Sequence, residues 1–197
     1  MSIWCAAQAA SSTRAGQMTR PAACTPTRAG RGPSAPVRWG HSGSRIWNGA
    51  QTNLPPCAGK QPRLSAATRG DAAEILDSYT WYVHHDTATL QVSRSSLPEY
   101  EDWVDSTRAL IPLLLARDGD GKLLGYACAH RYHPREAYDW AVESTIYCAP
   151  DARGFGVGDT LYRALLDILD GMGYWNVYAL VADPNPASER IHARLGF

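Results

Sequence analysis

Three glycines at alternate positions, Gly154, Gly156 and Gly158, lead directly into an apolar segment with helical periodicity. Glycine has no Cβ atom, so its backbone can approach a ligand closely, and the N-terminus of a following helix presents amide groups to an anion. The stretch therefore predicts a phosphate-binding loop. It leaves open whether the phosphate belongs to a dinucleotide, a nucleoside triphosphate or coenzyme A.

The residues around these glycines exclude a nucleoside triphosphate as the ligand and argue against a dinucleotide. A nucleoside triphosphate loop needs Lys followed by Ser or Thr at the start of the helix, whereas Asp159 and Thr160 follow the last glycine here. A dinucleotide fingerprint needs a third glycine in GxGxxG, and that glycine is absent in both frames. Asp183, which follows the next strand, keeps the dinucleotide-binding alternative open.

A single carboxylate, Glu143, lies within the apolar stretch "WAVESTIY". A carboxylate in such a strand is costly unless it faces a cleft or has polar partners. In a cleft it could accept a proton as a general base. Glu143 is therefore a candidate catalytic residue, and the alternative is a strand residue on a solvated face.

The hydrophobic periodicity predicts a mixed α/β domain with the element order β-α-α-β-β-β-α-β-α. An antiparallel meander leads into a βαβ unit, so the sheet is expected to be mostly antiparallel with flanking helices. Asn185 and Pro186 are typical of a helix start, and Gly196 of a helix end. A short strand is predicted at the start of "RLSAATRGDAAEILDSYTWYV", and further strands in "PLLLARD", "KLLGYACAHRYH", "AYDWAVESTIYCA" and "WNVYALVA", the last expected to be buried on both faces.

The first part of the chain has a different composition from the rest. The formal net charge is zero, but the nineteen acidic residues all follow Gly70, together with ten of the nineteen Lys and Arg. Residues 1–60 are basic, of low complexity and without periodicity, which predicts a disordered leader before a folded domain at 61–197. An organellar transit peptide, a nucleic-acid-binding arm and a segment without function stay open for the leader.

No stretch of about 18 apolar residues is present, which predicts no membrane span. The five cysteines lack CxxC spacing, as expected of a protein from a reducing cytoplasm. The paired histidines, at 84 and 85 and at 130 and 133, lie on different elements, so no metal site is predicted. With no basic cluster in the folded part, nucleic acid is not an expected partner.

The frame Arg153-x-x-Gly156-x-Gly158 resembles the Q/R-x-x-G-x-G/A pyrophosphate loop of the GCN5-related N-acetyltransferases (GNAT). The blocks "AYDWAVESTIYCAP", "RGFGVGDTLYRALLDIL" and "RIHARLGF" have the order and spacing of the phosphinothricin N-acetyltransferase branch of that superfamily. The resemblance covers roughly residues 63–197. It implies the acyl-CoA N-acyltransferase fold, acetyl-CoA as donor and a small primary amine as acceptor, and it leaves a homodimer open.

The resemblance also implies a role for each residue of the site. Glu143 corresponds to the proposed base, and His192 lies where relatives carry a Tyr or His near the thiol, to protonate the thiolate or to assist deprotonation. Main-chain amides of the strand end would stabilise the oxyanion, and Asn185 would contact cofactor or acceptor. The residues expected to bind the cofactor are Ile146, Tyr147, Cys148, Arg153, Gly154, Phe155, Gly156, Val157, Gly158 and Asn185.

Members of the resembled superfamily continue past "LGF" with two more strands. The chain is therefore expected to be truncated, with an unpaired edge on the strand "WNVYALVA". A non-catalytic remnant that binds coenzyme A weakly is the alternative that this departure leaves open.

Overall fold

The computed structural model describes the backbone of Ser2–Gln8 and residues 62–197. Ten helices and strands are present in these ranges. The strands are β1 (Ser2–Gln8), β2 (Arg63–Ala66), β3 (Leu114–Arg117), β4 (Leu123–Arg131), β5 (Ala141–Cys148) and β6 (Asn176–Ala182). The helices are α1 (Ala72–His85), α2 (Leu97–Leu110), α3 (Val157–Gly171) and α4 (Pro186–Leu195).

The six strands form one sheet in the order β1-β6-β5-β4-β3-β2. Only β5 and β6 are parallel, because α3 carries the chain back across the sheet between them. All other neighbours are antiparallel. From β2 onward the element order and the mostly antiparallel mixed sheet are as predicted.

Helices cover both faces of the sheet, and strand alternation divides the apolar residues between two cores. Ala127 and Ala129 of β4 face the core built around α3, where Leu161 and Leu165 are fully buried. Tyr126 and Cys128, which alternate with them, face the second core, formed with α1 and α2. Each strand of the meander therefore positions side chains on two sides.

Two strand predictions need correction. β5 begins at Ala141, because Glu136–Tyr138 forms a 3₁₀ turn instead of extended backbone. β6 was expected to be buried on both faces, but only Val177, Ala179 and Val181 are buried. Leu180 between them is 46% exposed, so β6 has one core face only.

The edge of β6 is paired, contrary to the expectation of an open edge. The backbone of β1 lies antiparallel to β6 over seven residues, from Ser2 opposite Ala182 to Gln8 opposite Asn176. A strand inside the basic N-terminal segment was not predicted, since the sequence there has no periodicity. The rest of the predicted leader, Met1 and residues 9–60, lies outside the described residues.

Among the helices of the described residues, none is both long and apolar enough to cross a membrane.

Deleting residues 2–8 is expected to expose the edge of β6 and to cause self-association, since an unpaired strand edge is a template for pairing with another chain. Light scattering after size-exclusion chromatography measures this. A deletion of equal length at 21–27 is the control. If the protein without residues 2–8 has the same molar mass distribution as this control, β1 does not protect the edge of β6.

Candidate active site

A cavity of about 1030 Å³ lies beside the end of β5, between the glycine-containing loop, the start of α3, β6 and α4. All twelve residues that the sequence placed in the site line this cavity. They are Glu143, Ile146, Tyr147, Cys148, Arg153, Gly154, Phe155, Gly156, Val157, Gly158, Asn185 and His192.

The cavity opens where two parallel strands diverge. β5 pairs with β4 as far as Cys148, whereas it pairs with β6 only over Ala141–Ser144. Beyond Ser144, therefore, this edge of β5 has no strand partner within the described residues. The divergence leaves backbone groups of β5 on the cavity wall.

Strand alternation decides which of these groups face the cavity. The amide of Ala149 donates to the carbonyl of Leu124 at 2.8 Å, so residue 149 points toward β4. Backbone groups of successive residues in a strand alternate in direction. The N–H and C=O of Tyr147 therefore also point toward β4, while those of Ile146 and Cys148 point to the opposite edge of β5. The Cys148 amide donates to the Tyr82 hydroxyl at 3.2 Å, and that hydroxyl donates to the Cys148 carbonyl at 2.5 Å.

The three backbone amides expected to act together are thus placed differently. Tyr147 belongs to the β4–β5 ladder, and Cys148 is held by a side chain from α1. The amides of Ile146 and Cys148 both face the edge that lies beyond the pairing with β6, and that of Ile146 is the one not bonded to Tyr82. Desolvation of the partly buried Cys148 thiol raises its pKa to about 11 and keeps it protonated at neutral pH.

Each glycine of the loop is required for a structural reason, which is backbone conformation at Gly154 and Gly156 and close packing at Gly158. Gly154 and Gly156 have φ of +83° and +79°, a left-handed conformation that other residues adopt only with strain. Gly156 is the N-cap of α3. A Cβ atom at Gly158 would lie 3.2 Å from Ile191 Cδ1 and 3.3 Å from Cys148 Sγ, so this glycine permits close packing of α3.

Arg153 is held against α1 by aromatic and ionic contacts. Its guanidinium carbon lies 4.9 Å from the centre of the Trp81 ring and 5.0 Å from that of Tyr82. Its Nη2 is 3.1 Å from Asp86 Oδ2. The loop therefore begins with a positive charge in a fixed position beside the amides at the start of α3.

Glu143 lies on the cavity wall, with a side chain that is 23% exposed. It stands opposite His130 on β4 and beside Tyr178 on β6. His130 Nε2 is 3.8 Å from Glu143 Oε2. The carboxylate is therefore half-buried at the cavity, and of the two sequence alternatives the cleft agrees with this geometry.

His192 is 4% exposed, so the alternative of a histidine on the helix surface is wrong. Its Nδ1 donates to the Ser188 carbonyl at 2.7 Å, and its Nε2 lies 3.2 Å from the Tyr162 hydroxyl. Burial lowers the pKa of His192, although the hydrogen bond to Ser188 opposes this. The ring is consequently neutral at neutral pH.

Asn185 is the N-cap of α4, as predicted, because its Oδ1 accepts from the Ser188 amide at 3.1 Å. Tyr82, Tyr162 and Ser144 were not singled out from the sequence. Each sits in an apolar or mixed stretch where an aromatic or small polar residue resembles ordinary core. In the described part of the chain, no group of three or more His, Cys, Asp or Glu could hold a metal ion.

This combination of fold and site defines a class of acyltransferase, and comparison with known proteins gives the family. Residues 76–197 match the Acetyltransferase (GNAT) family. The chain belongs to this family and is an acetyl-CoA-dependent N-acetyltransferase. The dinucleotide-binding alternative is therefore wrong.

Several characterised proteins are similar to the chain. A phosphinothricin N-acetyltransferase of Streptomyces coelicolor is 37% identical over 130 residues, which are 64% of this chain and 76% of that protein. A Pseudomonas aeruginosa L-methionine sulfoximine/L-methionine sulfone acetyltransferase is 34% identical over 139 residues, covering 68% and 81%.

Solved structures show the same fold. An acetyltransferase from Salmonella typhimurium, determined with its cofactor acetyl-CoA, has a TM-score of 0.67 and 26% identity over 70% of this chain and 79% of that one. A phosphinothricin acetyltransferase from Sinorhizobium meliloti in complex with acetyl-CoA has a TM-score of 0.66 and 29% identity, over 68% and 74%.

The cavity residues fit acetyl-CoA as cosubstrate. The left-handed glycines turn the loop onto the N-terminus of α3, where amide groups favour an anion such as a pyrophosphate. The diverging edge of β5 presents the Ile146 amide along the same cavity.

Replacing Gly154 with Ala is expected to weaken acetyl-CoA binding about 3- to 10-fold, because the loop must leave its left-handed conformation at a cost of roughly 1–2 kcal/mol. Isothermal titration calorimetry measures the affinity. Gly121→Ala is a matched control, since Gly121 has φ of +89° and, like Gly154, no atom within 4 Å of an added Cβ. Equal affinity in the two variants would contradict a cofactor role for the loop.

Tyr82→Phe is expected to lower the free energy of unfolding by about 1–3 kcal/mol, because the Cys148 amide and carbonyl lose their shared partner. Urea denaturation monitored by circular dichroism measures the change. Tyr100→Phe should cost less, since the Tyr100 hydroxyl has only a 3.4 Å contact with that of Tyr126. A reversed order of the two variants would refute this account of Tyr82.

Proposed function

We propose that this N-acetyltransferase acetylates the primary amine of a small amino-acid acceptor of the phosphinothricin or methionine sulfoximine type. The single observation that carries the proposal is the half-buried carboxylate of Glu143 on the same cavity as the glycine-containing loop and the open edge of β5. The names of the relatives from Streptomyces coelicolor and Pseudomonas aeruginosa support the choice of acceptor.

Glu143 is the proposed general base. A free α-amine has a pKa near ~8 and is largely protonated at neutral pH, so it must lose a proton before it can attack a carbonyl carbon. The Glu143 carboxylate would take that proton as the nitrogen–carbon bond forms. Nε2 of His130, on the neighbouring strand, lies 3.8 Å from this carboxylate, beyond hydrogen-bond distance.

Acetyl-CoA, when bound, supplies an acetyl group activated as a thioester. The Ile146 amide is the proposed donor to the oxygen that becomes negative during the attack, since a preorganised backbone amide stabilises such charge without reorganisation. Its position follows from the divergence of β5 and β6. Arg153 and residues 154–158 are proposed to hold the pyrophosphate, and Asn185, which lines the same cavity, to contact cofactor or acceptor.

His192 had two roles open from sequence, to protonate the leaving thiolate or to assist deprotonation. A buried imidazole with a lowered pKa is neutral at pH 7 and has a lone pair on Nε2. Such a group accepts a proton more readily than it supplies one. We therefore assign His192 the second role.

The substitution Glu143→Gln is expected to lower kcat by about 10²- to 10⁴-fold, the range of general-base catalysis, while acetyl-CoA affinity stays unchanged. Free-thiol release from acetyl-CoA, with phosphinothricin, methionine sulfoximine and methionine sulfone as acceptors, measures the rate. Mass spectrometry of the product identifies the N-acetyl group. Glu136→Gln, an exposed carboxylate of the 3₁₀ turn before β5, is the control.

Each result of this assay is decisive. Unchanged turnover in Glu143→Gln would remove the proposed base. Binding of acetyl-CoA by calorimetry without acetyl transfer to any acceptor would favour the non-catalytic alternative. Transfer only to amines that lack a carboxylate would refute the proposed acceptor class.

A further inference from the structure

A chain of buried hydrogen-bonding groups runs beneath the cavity on the α3 side of the sheet. The Ser144 hydroxyl of β5 contacts the Tyr162 hydroxyl of α3, which contacts His192 Nε2 of α4. Ser144 and His192 line the cavity, while Tyr162 is fully buried between them. His192 Nδ1 is bound to the Ser188 carbonyl.

The direction of each hydrogen bond follows from counting protons. Nδ1 lies 2.7 Å from the Ser188 carbonyl, which can only accept, and 3.2 Å from the Ser188 hydroxyl, which can donate or accept. The shorter contact assigns the proton to Nδ1, so in the neutral ring Nε2 must accept. The Tyr162 hydroxyl therefore donates to Nε2. Its oxygen can then accept from the Ser144 hydroxyl, whose single proton has the Tyr178 carbonyl, at 3.1 Å, as its other acceptor.

The same chain can run in the opposite direction when His192 is protonated. Nε2–H then donates to Tyr162, Tyr162 donates to Ser144, and Ser144 donates to the Tyr178 carbonyl of β6, which lies 3.1 Å from its hydroxyl oxygen. Each hydroxyl passes on one proton and receives one, so the count balances. The chain thus satisfies both protonation states of a buried histidine.

We propose that Ser144 and Tyr162 are positioning residues that form a hydroxyl relay between the cavity wall and His192. The Ser188 carbonyl fixes the tautomer of the ring, and the relay transmits a proton from the cavity to Nε2 by reversing its hydrogen bonds. This inference rests on the proposed function for the origin of the proton, whereas the hydrogen-bond chain itself does not depend on it.

Aromatic rings and paired charges surround His192. The ring packs edge-on against Tyr162 and Phe197, with centroids 5.2 and 4.9 Å away. The charged side chains of the two helices that meet here pair with one another, since Asp159 lies 2.7 Å from Arg163 and 3.4 Å from Arg194. Glu143 is adjacent to Ser144 in sequence but points to the other face of the sheet.

The test is the titration of His192 in ¹⁵N NMR spectra of the full chain without cosubstrate. The unaltered protein should show the neutral ring protonated on Nδ1. In Tyr162→Phe the pKa of His192 should fall further, because the imidazolium loses its only relay acceptor and hydrogen bonds of charged groups are worth more than neutral ones. Ser144→Ala should lower it less and leave the tautomer unchanged.

Activity gives a second, separate readout. Tyr162→Phe should lower kcat about 3- to 10-fold, as expected for one hydrogen bond, with the KM for acetyl-CoA unchanged. Tyr174→Phe, a half-buried tyrosine after the end of α3, is the matched control. Circular dichroism establishes that the variants are folded.

An unchanged pKa of His192 in Tyr162→Phe would overturn the relay, whatever the activity. An equal loss of kcat in Tyr174→Phe would overturn it as well, because the effect would then be unspecific. If the NMR changes appear but no variant or unaltered protein transfers acetyl groups, the proposed function fails and the hydrogen-bond chain stands.

Discussion

The site depends on the divergence of two parallel strands. β5 and β6 are joined for only four residues, after which β6 leaves and one edge of β5 is exposed to a cavity. Backbone groups inside a protein need partners, so this edge is either satisfied by the protein or offered to a ligand. Here both occur, because the Tyr82 hydroxyl holds Cys148 while Ile146 faces the cavity.

Strand alternation then separates the chemistry of adjacent residues. Glu143 faces the α1 and α2 side, while Ser144 faces α3 and joins the buried chain to His192. One strand thus supplies a carboxylate, a hydroxyl and an amide within four residues. The glycine-containing loop completes the site, because it connects the end of β5 to the N-terminus of α3.

Local signals in the sequence predicted the parts of the site that are local in structure. The loop glycines, the N-cap at Asn185 and the isolated carboxylate of Glu143 each depend on neighbours within a few positions. The Tyr82–Cys148 contact joins residues 66 positions apart, and the β1–β6 pairing joins the two ends of the chain. No periodicity encodes such contacts, because packing of the whole sheet decides them.

The exchange of individual backbone amides tests the central account most directly. Hydrogen–deuterium exchange read by NMR should show a rapidly exchanging Ile146 amide that becomes protected when acetyl-CoA is added. The Tyr147 amide, bonded in the β4–β5 ladder, should be protected in both conditions. Protection of Ile146 without acetyl-CoA, or no change on its addition, would contradict an open strand edge that binds the acetyl donor.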